Sequence, residues 1–308
     1  MRGGDALDAA AGFGEGAQSL AAPADHGQGD GEAGLSNGGD GANRPVKLLV
    51  ERATKHYATR TGLVHALDGY SMSVGEGELV CVLGPSGCGK STLLWAMAGL
   101  HELSAGQVLL DGAPVVKPHP EIGMVFQDAN LLPWRTVIRN IHLPFEIKGV
   151  KPAEHRDRIE GLLRRVGLVG FETKYPRELS GGMQQRASIV RSLSFDPSVL
   201  LMDEPFGALD AFTRDEMNLL LQEIWLETGK TIVFVTHNIT EAVFLADRVM
   251  VMSPRPGRLQ RIFAIDLPRP RPLEVTTRPH FIELVSAIKG SIDHGAGAHA
   301  GSIVEMAG

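Results

Sequence analysis

The amino-acid sequence predicts an α/β protein with a mostly parallel β-sheet at its core, and two observations support this prediction. Short, nearly continuous apolar runs, typical of strands buried on both faces, lie at 79–84, 199–203, 231–236 and 249–252. Segments of helical character separate these runs and lie at 90–100, 211–228 and 238–246. Strands and helices that alternate in this way form a sheet covered by helices on both faces.

Composition divides the 308-residue chain into three regions. Residues 1–45 are rich in glycine and aspartate and lack hydrophobic periodicity, so we expect a disordered tail. Residues 46–265 carry the α/β pattern, which a stretch of helical periodicity interrupts at about 134–184, and this predicts an inserted helical subdomain. Residues 266–308 form a C-terminal extension, in which we expect a short amphipathic helix over about 279–289 and a flexible tail.

The extension begins with the run Pro268-Arg269-Pro270-Arg271-Pro272. Each proline disfavours helix in the residue before it, so the run is predicted to be extended. The simplest interpretation is a plain connector, and contact with acidic lipid or a partner is the alternative.

The charge of the chain is unevenly distributed. Seven acidic and two basic side chains lie within residues 1–45, so that segment carries −5 of the net charge of −6 and the rest carries −1. A near-neutral folded region gives no electrostatic basis for binding nucleic acid, and we expect no nucleic-acid partner.

Cysteine usage and hydropathy limit the compartment. The two cysteines, Cys81 and Cys88, offer neither a disulfide framework nor a metal-binding CxxC pair, which suits a reducing cytosol. No apolar run approaches the about 20 residues that span a bilayer, so any membrane role is expected to be peripheral.

A phosphate-binding loop is predicted between the first buried strand and the helix after it. It consists of Gly84, Pro85, Ser86, Gly87, Cys88, Gly89, Lys90 and Ser91. Glycines let successive backbone N–H groups turn toward phosphate oxygens, and the helix start adds the positive end of its dipole. Lys90 is expected to reach the β- and γ-phosphates of ATP, Ser91 to ligate Mg²⁺, and Thr92 to bond the α-phosphate.

Two acidic residues, Asp203 and Glu204, follow the second buried strand, at the sheet edge where open α/β proteins bind ligands. Asp203 is a candidate Mg²⁺ ligand, because carboxylate oxygens suit this ion. Glu204 is the candidate for polarising the attacking water.

A second motif precedes these acids, Leu179-Ser180-Gly181-Gly182-Met183-Gln184-Gln185-Arg186. With the phosphate loop, it resembles the signature of ATP-binding cassette (ABC) proteins, the ATPases that power membrane transporters. The likeness extends over about 47–265. It implies a P-loop NTPase (RecA-like) fold, with a mostly parallel core sheet, an antiparallel β edge and an inserted helical subdomain.

The resemblance also implies roles for single residues. Tyr57 corresponds to the aromatic residue that stacks on adenine, although an ordinary strand aromatic is the alternative. Gln127 corresponds to the glutamine that contacts Mg²⁺ and the water and links the subdomains. Asp210 corresponds to an aspartate at the dimer seam, and His237 to the switch histidine that bonds the γ-phosphate.

In such proteins the signature binds the γ-phosphate of a nucleotide held by a second subunit, which implies this role for Ser180, Gly181, Gly182 and Gln184. Small residues at a helix N-terminus make an anion site, and a simple N-cap is the alternative for Ser180. One chain carries one phosphate loop and one signature, so two chains are expected to meet head-to-tail, as a homodimer.

The stretches 128–137 and 252–258 resemble the nitrate/sulfonate/taurine importers. The chain departs from the family pattern at Asn238, where aspartate is common, and at Ser192, where alanine is usual. The resemblance implies two permease subunits, a periplasmic or extracellular solute-binding protein as an indirect partner, and a place on the cytoplasmic face of the inner membrane. The cargo stays open among nitrate, sulfonates, taurine and vitamin precursors.

Two other classes of protein compete with this interpretation. A soluble ABC ATPase of DNA repair or translation is the first, but the interval between Lys90 and Ser180 leaves no room for a long coiled coil, and one cassette is visible rather than two. A small-molecule kinase is the second, and it gives no account of the signature.

Overall fold

The computed structural model describes residues 44–60 and 62–300, with the backbone alone over 293–300. The predicted N-terminal tail at 1–45, apart from its last two residues, lies outside the described residues, as do residues 301–308 of the predicted C-terminal tail. Within the described part of the chain, no helix is both long and apolar enough to cross a membrane.

Two β-sheets form the framework. In chain order the strands are β1 Val46–Thr59, β2 Gly62–Gly75, β3 Leu79–Leu83, β4 Ala105–Leu110, β5 Ala113–Pro114, β6 Ile122–Val125, β7 Val199–Asp203, β8 Thr231–Thr236, β9 Arg248–Met252 and β10 Leu259–Ala264. The central sheet has the order β10-β9-β3-β8-β7-β6, parallel except for β10. The second sheet is antiparallel, in the order β2-β1-β4-β5. The predicted fold class, a mostly parallel core with an antiparallel edge, is confirmed.

Eight α-helices lie within the described residues. They are α1 Lys90–Met97, α2 Val137–Ile141, α3 Leu143–Lys148, α4 Arg156–Arg165, α5 Gly181–Leu193, α6 Ala211–Thr228, α7 Ile239–Leu245 and α8 Pro279–Ala300. Helices α2, α3 and α4 lie between β6 and α5 in the chain and bury their apolar faces in the same core as α5. They form the inserted helical part of the fold.

The central sheet is buried on both faces, which explains the continuous apolar runs of its strands. In β3, Leu79 and Cys81 belong to the core beneath α5, α6 and α7, whereas Val80 and Val82 face the core shared by α1 and the antiparallel sheet. Successive side chains of a strand point to opposite faces, so a strand between two apolar layers needs apolar residues throughout.

The C-terminal region differs from the prediction in two respects. The backbone of α8 continues to Ala300, eleven residues beyond the expected end at 289, so that Gly290 lies within the helix rather than after it. Phe281 and Ile288 anchor the start of this helix, since both are fully buried in the main core. The Pro-Arg run is not a plain connector, because Arg271 is only 1% exposed and is among the largest fully buried side chains of the described chain.

Candidate nucleotide-binding site

The phosphate loop connects the end of β3 to the start of α1, as predicted. Gly89 precedes α1 with φ of 111°, and Gly87 has φ of 74°, so both need the left-handed conformations that glycine adopts at low cost. A Cβ on Gly89 would lie 2.7 Å from the backbone oxygen of Ala66. The loop therefore curls around the N-terminus of α1 only with glycine at these positions, and its backbone forms a concave cradle.

Lys90 and Ser91 begin α1 on the inner side of this cradle. The Lys90 ammonium is buried and donates to the backbone oxygens of Gly84 at 2.9 Å and Pro85 at 3.2 Å. The Ser91 hydroxyl donates to Asp203 Oδ1 at 3.0 Å. Burial raises the pKa of Asp203, and the Ser91 hydrogen bond opposes that rise.

These side chains offer the donor set that Mg²⁺ prefers. The Ser91 hydroxyl and the Asp203 carboxylate are hard oxygen ligands, and they already touch each other beside the cradle. The residues present therefore fit the ion. Ser91 and Asp203 would hold it, and when bound it would neutralise charge on the phosphate oxygens.

Glu204 lies between two cationic or potentially cationic groups. Its Oε1 is 3.7 Å from the Lys90 ammonium, and its Oε2 is 2.7 Å from His237 Nδ1. Its backbone has φ of 44°, a left-handed conformation that costs a non-glycine residue about 1–3 kcal/mol. A backbone hydrogen bond from Glu204 to Val235 O at 2.9 Å helps to hold this geometry, which turns the carboxylate toward the cradle.

Tyr57 lies near the start of α1, and Gln127 lies near the turn that follows Glu204. The Tyr57 hydroxyl is 3.0 Å from His101 Nδ1 and 3.5 Å from Thr92 Oγ1, which places the ring beside the first turn of α1. Gln127 is exposed, and a Cβ on Gly207 would lie 3.7 Å from its amide nitrogen, so it approaches the turn that follows Glu204. Adenine stacking by Tyr57 and water contact by Gln127 stay predictions.

The signature forms the N-terminus of α5, where Ser180 and Gly181 are exposed and Gly182 is buried. Ser180 caps this helix by accepting a hydrogen bond from Met183 N at 3.3 Å. A Cβ on Gly182 would lie 2.7 Å from the Thr213 side chain, so a larger residue here requires that side chain to move. The Gln184 side chain donates to the backbone oxygens of Pro176 and Leu179 in its own chain, and so stabilises the loop before the helix. Among the described residues, no hydrogen bond joins this tip to the phosphate loop of the same chain.

Asp210 and Asn238 cap the two helices that follow β7 and β8, namely α6 and α7. Asp210 accepts hydrogen bonds from Thr213 N at 3.0 Å and Thr213 Oγ1 at 2.7 Å at the start of α6, and the backbone bond lowers its pKa. Asn238 accepts from Glu241 N at 3.2 Å at the start of α7. The departure from aspartate thus keeps the cap, since asparagine and aspartate are equally good N-caps.

Three side chains of α5 hold the segment that carries Gln127, and the sequence analysis gave none of them a role. Gln185 donates to Phe126 O at 3.0 Å, Ser192 to Met124 O at 2.7 Å, and Arg191 to Ala129 O and Asn130 O at 2.8 and 2.7 Å. Ser192, where alanine is usual, therefore adds one hydrogen bond to this connection. Only the spacing along one helix could have indicated these contacts.

The turn between β9 and β10 supports the phosphate loop from behind, which sequence reasoning also missed. Gly257 donates its N–H to Ala66 O at 2.9 Å, and a Cβ on Gly257 would lie 2.3 Å from Cys88 O. Arg255 lies on the same turn, and its Nη2 is 3.5 Å from the position that a Cβ on Gly87 would take. The backbone of the loop is thus seated directly against this glycine.

Gly257→Ala is expected to weaken ATP binding at least tenfold, because the loop must move to admit the methyl group. Gly161→Ala is the matched control, since Gly161 lies on α4 with nothing within 4 Å of its Cβ position. Alanine there should be neutral or slightly stabilising. Fluorescent-nucleotide titration measures both affinities, and equal affinities in the two variants would contradict the assigned role of Gly257.

Glu241 is a buried carboxyl group at the start of α7. Burial raises its pKa to about 7, while the hydrogen bond from the Thr236 hydroxyl and the charges of Arg214 and His237 partly oppose this. Its Oε1 is buried and has no hydrogen-bond partner among the residues that the structure describes. The native state therefore binds this proton more tightly than the unfolded state, in which glutamate has its ordinary pKa of 4.5.

Stability is accordingly expected to fall as pH rises from 4.5 to 7, by about 3 kcal/mol for this group. Glu241→Gln keeps an acceptor for Thr236 and removes the titration. The difference in free energy of unfolding between the variant and the unmodified protein should therefore shift in favour of the variant between pH 5 and pH 8. Urea unfolding at both pH values measures this, and a difference independent of pH would be the contrary result.

The cradle, the buried lysine, the serine–aspartate pair and the glutamate that directly follows β7 together define a P-loop nucleoside triphosphatase. The ABC transporter family model matches residues 67–207. The chain is 51% identical to a taurine import ATP-binding protein, TauB, of Rhizobium johnstonii over 72% of this chain and 85% of that protein. It is 42% identical to an aliphatic sulfonates import ATP-binding protein, SsuB, of Bacillus cereus, over 73% of this chain and 89% of that one.

A comparison with solved structures indicates the same family. The ATP-binding cassette MJ0796, a dimer in a post-hydrolysis state bound to ADP and phosphate, superposes with a TM-score of 0.63 at 32% identity, over 71% of this chain and 99% of that one. The chain therefore belongs to the ABC transporter family of ATP-binding proteins, which hydrolyse ATP to drive transport. The resemblance seen in the sequence is confirmed, and the alternatives of a DNA-repair or translation ATPase gain no support.

Proposed function

We propose that this protein is the ATP-hydrolysing subunit of an importer for sulfonates of the taurine type, and that it acts as a head-to-tail dimer. The observation that carries the catalytic part is the Glu204 carboxylate, held between Lys90 and His237 beside the phosphate loop. The names of the relatives support the class of cargo. Organic sulfonates share a compact anionic head, and nitrate is the competing anion.

Different residues of one chain have different roles in ATP hydrolysis. The loop N–H groups and Lys90 bind the β- and γ-phosphates, so that the γ-phosphorus is presented to Glu204. Glu204 accepts a hydrogen bond from the attacking water and increases its nucleophilicity. His237 donates to a γ-phosphate oxygen and keeps Glu204 oriented, and Gln127 orients the same water. Phosphoryl transfer depends chiefly on such positioning and charge neutralisation.

A second copy completes each site. Ser180 and Gly181 at the signature tip are exposed, and among the described residues this tip makes no hydrogen bond with its own phosphate loop. Ser180, Gly181 and Gly182 place a hydroxyl and free N–H groups at a helix N-terminus, which suits the γ-phosphate of a facing subunit. Bound ATP then holds the two copies together, and hydrolysis releases them.

A groove on the helical subdomain is our candidate for the permease contact. It has a volume of about 590 Å³, and its lining includes Ile138, His142, Ile159, Leu163 and Val169. Helix α2, which contributes Ile138 and is followed directly by His142, begins ten residues after Gln127. A permease segment bound here would contact α2, which follows the segment that carries Gln127. The subunit would then lie on the cytoplasmic face of the inner membrane, with a solute-binding protein on the other side.

Val169→Arg is expected to reduce co-purification with the permease at least tenfold, because a charged side chain would occupy an apolar part of the groove. Val169 is 58% exposed, so the substitution leaves the core intact. Val116→Arg is the matched control, since Val116 is 75% exposed and lies outside the groove. Equal retention of the permease by both variants would argue for a different docking surface.

Reconstitution tests the cargo. The purified subunit, its permease and the solute-binding protein are placed in liposomes, and ATPase activity is measured with taurine, an alkanesulfonate and nitrate. We expect taurine or the alkanesulfonate to stimulate hydrolysis and nitrate to leave it at the basal rate. Stimulation by nitrate alone would overturn the sulfonate proposal and leave the ATPase assignment intact.

A further inference from the structure

Residues 268–272, here called the Pro-Arg strap, contact the C-terminal end of α7. The last four backbone oxygens of a helix have no partner within it. The two arginines of the strap bond all four of these oxygens in α7, counted to its C-cap residue Ala246. Arg271 Nη1 donates to the oxygens of Val243 at 2.9 Å, Phe244 at 2.9 Å and Ala246 at 2.8 Å, and Arg269 Nη2 donates to that of Leu245.

The Arg271 side chain is fully buried, and within the described residues its guanidinium bonds only backbone oxygens. Besides α7, it donates to the oxygens of Ile265 and Leu267 at 3.3–3.4 Å. Burial and the nearby Arg269 charge lower its pKa to about 9, so it stays protonated at neutral pH. A cation at a helix C-terminus is favoured by the helix dipole. A buried charge that is satisfied in this way fixes its partners in one geometry.

Arg269 provides a second fixed point. Its guanidinium bonds Asp247 Oδ1 at 3.0 and 3.2 Å and lies 4.2 Å from the ring of Trp225 on α6. Arg271 and Gln222, also on α6, exchange two hydrogen bonds, from Arg271 N to Gln222 Oε1 at 2.7 Å and from Gln222 Nε2 to Arg271 O at 2.9 Å. The strap therefore fixes α7 relative to α6.

The opposite end of α7 carries the switch histidine. His237 immediately precedes the cap Asn238, and α7 has only seven residues, about 10 Å of helix. Its C-terminal half is buried, and a helix of about two turns has little length in which to bend. A shift at the strap is thus passed directly to His237 and to its 2.7 Å contact with Glu204.

We propose that the Pro-Arg strap positions the switch histidine, with Arg271 and Arg269 holding α7 so that His237 stays aligned with Glu204 and the γ-phosphate. The C-terminal extension is then part of the catalytic unit. Both arginines are positioning residues, since neither touches the nucleotide site. The inference rests on the proposed role of His237 in ATP hydrolysis.

Arg271→Lys tests this inference with the charge retained. Lysine has three donors at one point and cannot reproduce the planar spread of contacts to α7 and the strap. We expect kcat for ATP to fall about tenfold with KM changed less than twofold, because small displacements of catalytic groups cost rate rather than ground-state binding. Leu110→Ala, in the antiparallel sheet, is the control for lost stability, since Leu110 is buried in the core shared by α1 and that sheet, whereas α7 packs in the other core.

A double-mutant cycle separates positioning from general stability. If Arg271 acts through His237, Arg271→Lys should lower the single-turnover rate about tenfold in the unmodified protein and less than twofold in His237→Gln. An equal loss in both backgrounds overturns the inference and leaves the ATPase assignment standing. An unmodified rate in His237→Gln alone overturns both the role of His237 and the inference.

A spectroscopic measurement gives an answer independent of activity. The ring resonance of His237 is assigned as the signal absent from His237→Gln. It should shift in Arg271→Lys and stay in place in Leu110→Ala. If Arg271→Lys does not fold, Arg269→Lys replaces it, since that change alters one of the four carbonyl contacts on α7. An unshifted histidine signal in a folded strap variant would overturn the inference.

Discussion

Glu204→Gln should abolish ATP turnover while ATP binding is retained, with a rate at least 100-fold below that of the unmodified protein. A general base contributes about 10²- to 10⁴-fold to such reactions, and an amide cannot accept the proton. Glutamine has nearly the same shape, so the phosphate loop and Lys90 keep their geometry. Because ATP is then bound but not cleaved, the closed dimer should accumulate.

Steady-state ATPase assays and size-exclusion chromatography with ATP measure the two effects. Glu227→Gln is the control, since Glu227 is an exposed carboxylate paired with Arg165 at 2.6 Å, away from the site. That variant should hydrolyse ATP normally and show no ATP-dependent dimer accumulation. If Glu204→Gln hydrolysed ATP at the unmodified rate, Glu204 would not be the base.

Ser180→Arg should also reduce hydrolysis at least 100-fold, but for a different reason. The substitution places a long side chain at the exposed tip of α5, where the facing subunit has to approach. The affinity of the isolated subunit for ATP should change less than twofold, because Ser180 makes no hydrogen bond with its own phosphate loop. Ser180→Ala removes the same N-cap without the bulk, at a cost of about 1 kcal/mol in stability, and should lose less activity.

A mixture of the two variants tests the shared site directly. In a mixed dimer, the loop and base of the Ser180→Arg chain face the intact signature of the Glu204→Gln chain, and this one site is complete. ATPase activity should therefore rise above that of either variant alone. Equal losses of ATP affinity and rate in Ser180→Arg, with no recovery on mixing, would contradict a site shared between subunits.

Prediction from sequence succeeded where a local pattern has one structural meaning. The buried strands 199–203 and 231–236 and the helix 211–228 have the predicted bounds, because continuous apolar runs and a segment of helical character mark them. The glycines of the phosphate loop were predictable for the same reason, since their conformations are open to few other residues. The end of α8 was not, because glycine lowers helix propensity without forbidding helix.

Long-range contacts were beyond prediction from local patterns. Gly257 and Cys88 are 169 positions apart, yet the backbone of one lies against the other. Gln185, Arg191 and Ser192 bond backbone oxygens about sixty positions earlier in the chain. Backbone acceptors carry no sequence signal, so a donor that binds them leaves no motif to recognise.

The sequence by itself determined the fold class, the family and the candidate phosphate-binding residues, because glycine conformations, apolar periodicity and the order of motifs express these in adjacent positions. Only the tertiary structure decided how those residues are held. It placed Glu204 between Lys90 and His237, and it turned the apparent connector at 268–272 into a buried support for α7. The physical reason is burial: whether an arginine meets solvent or the unpaired end of a helix depends on segments that only folding brings together.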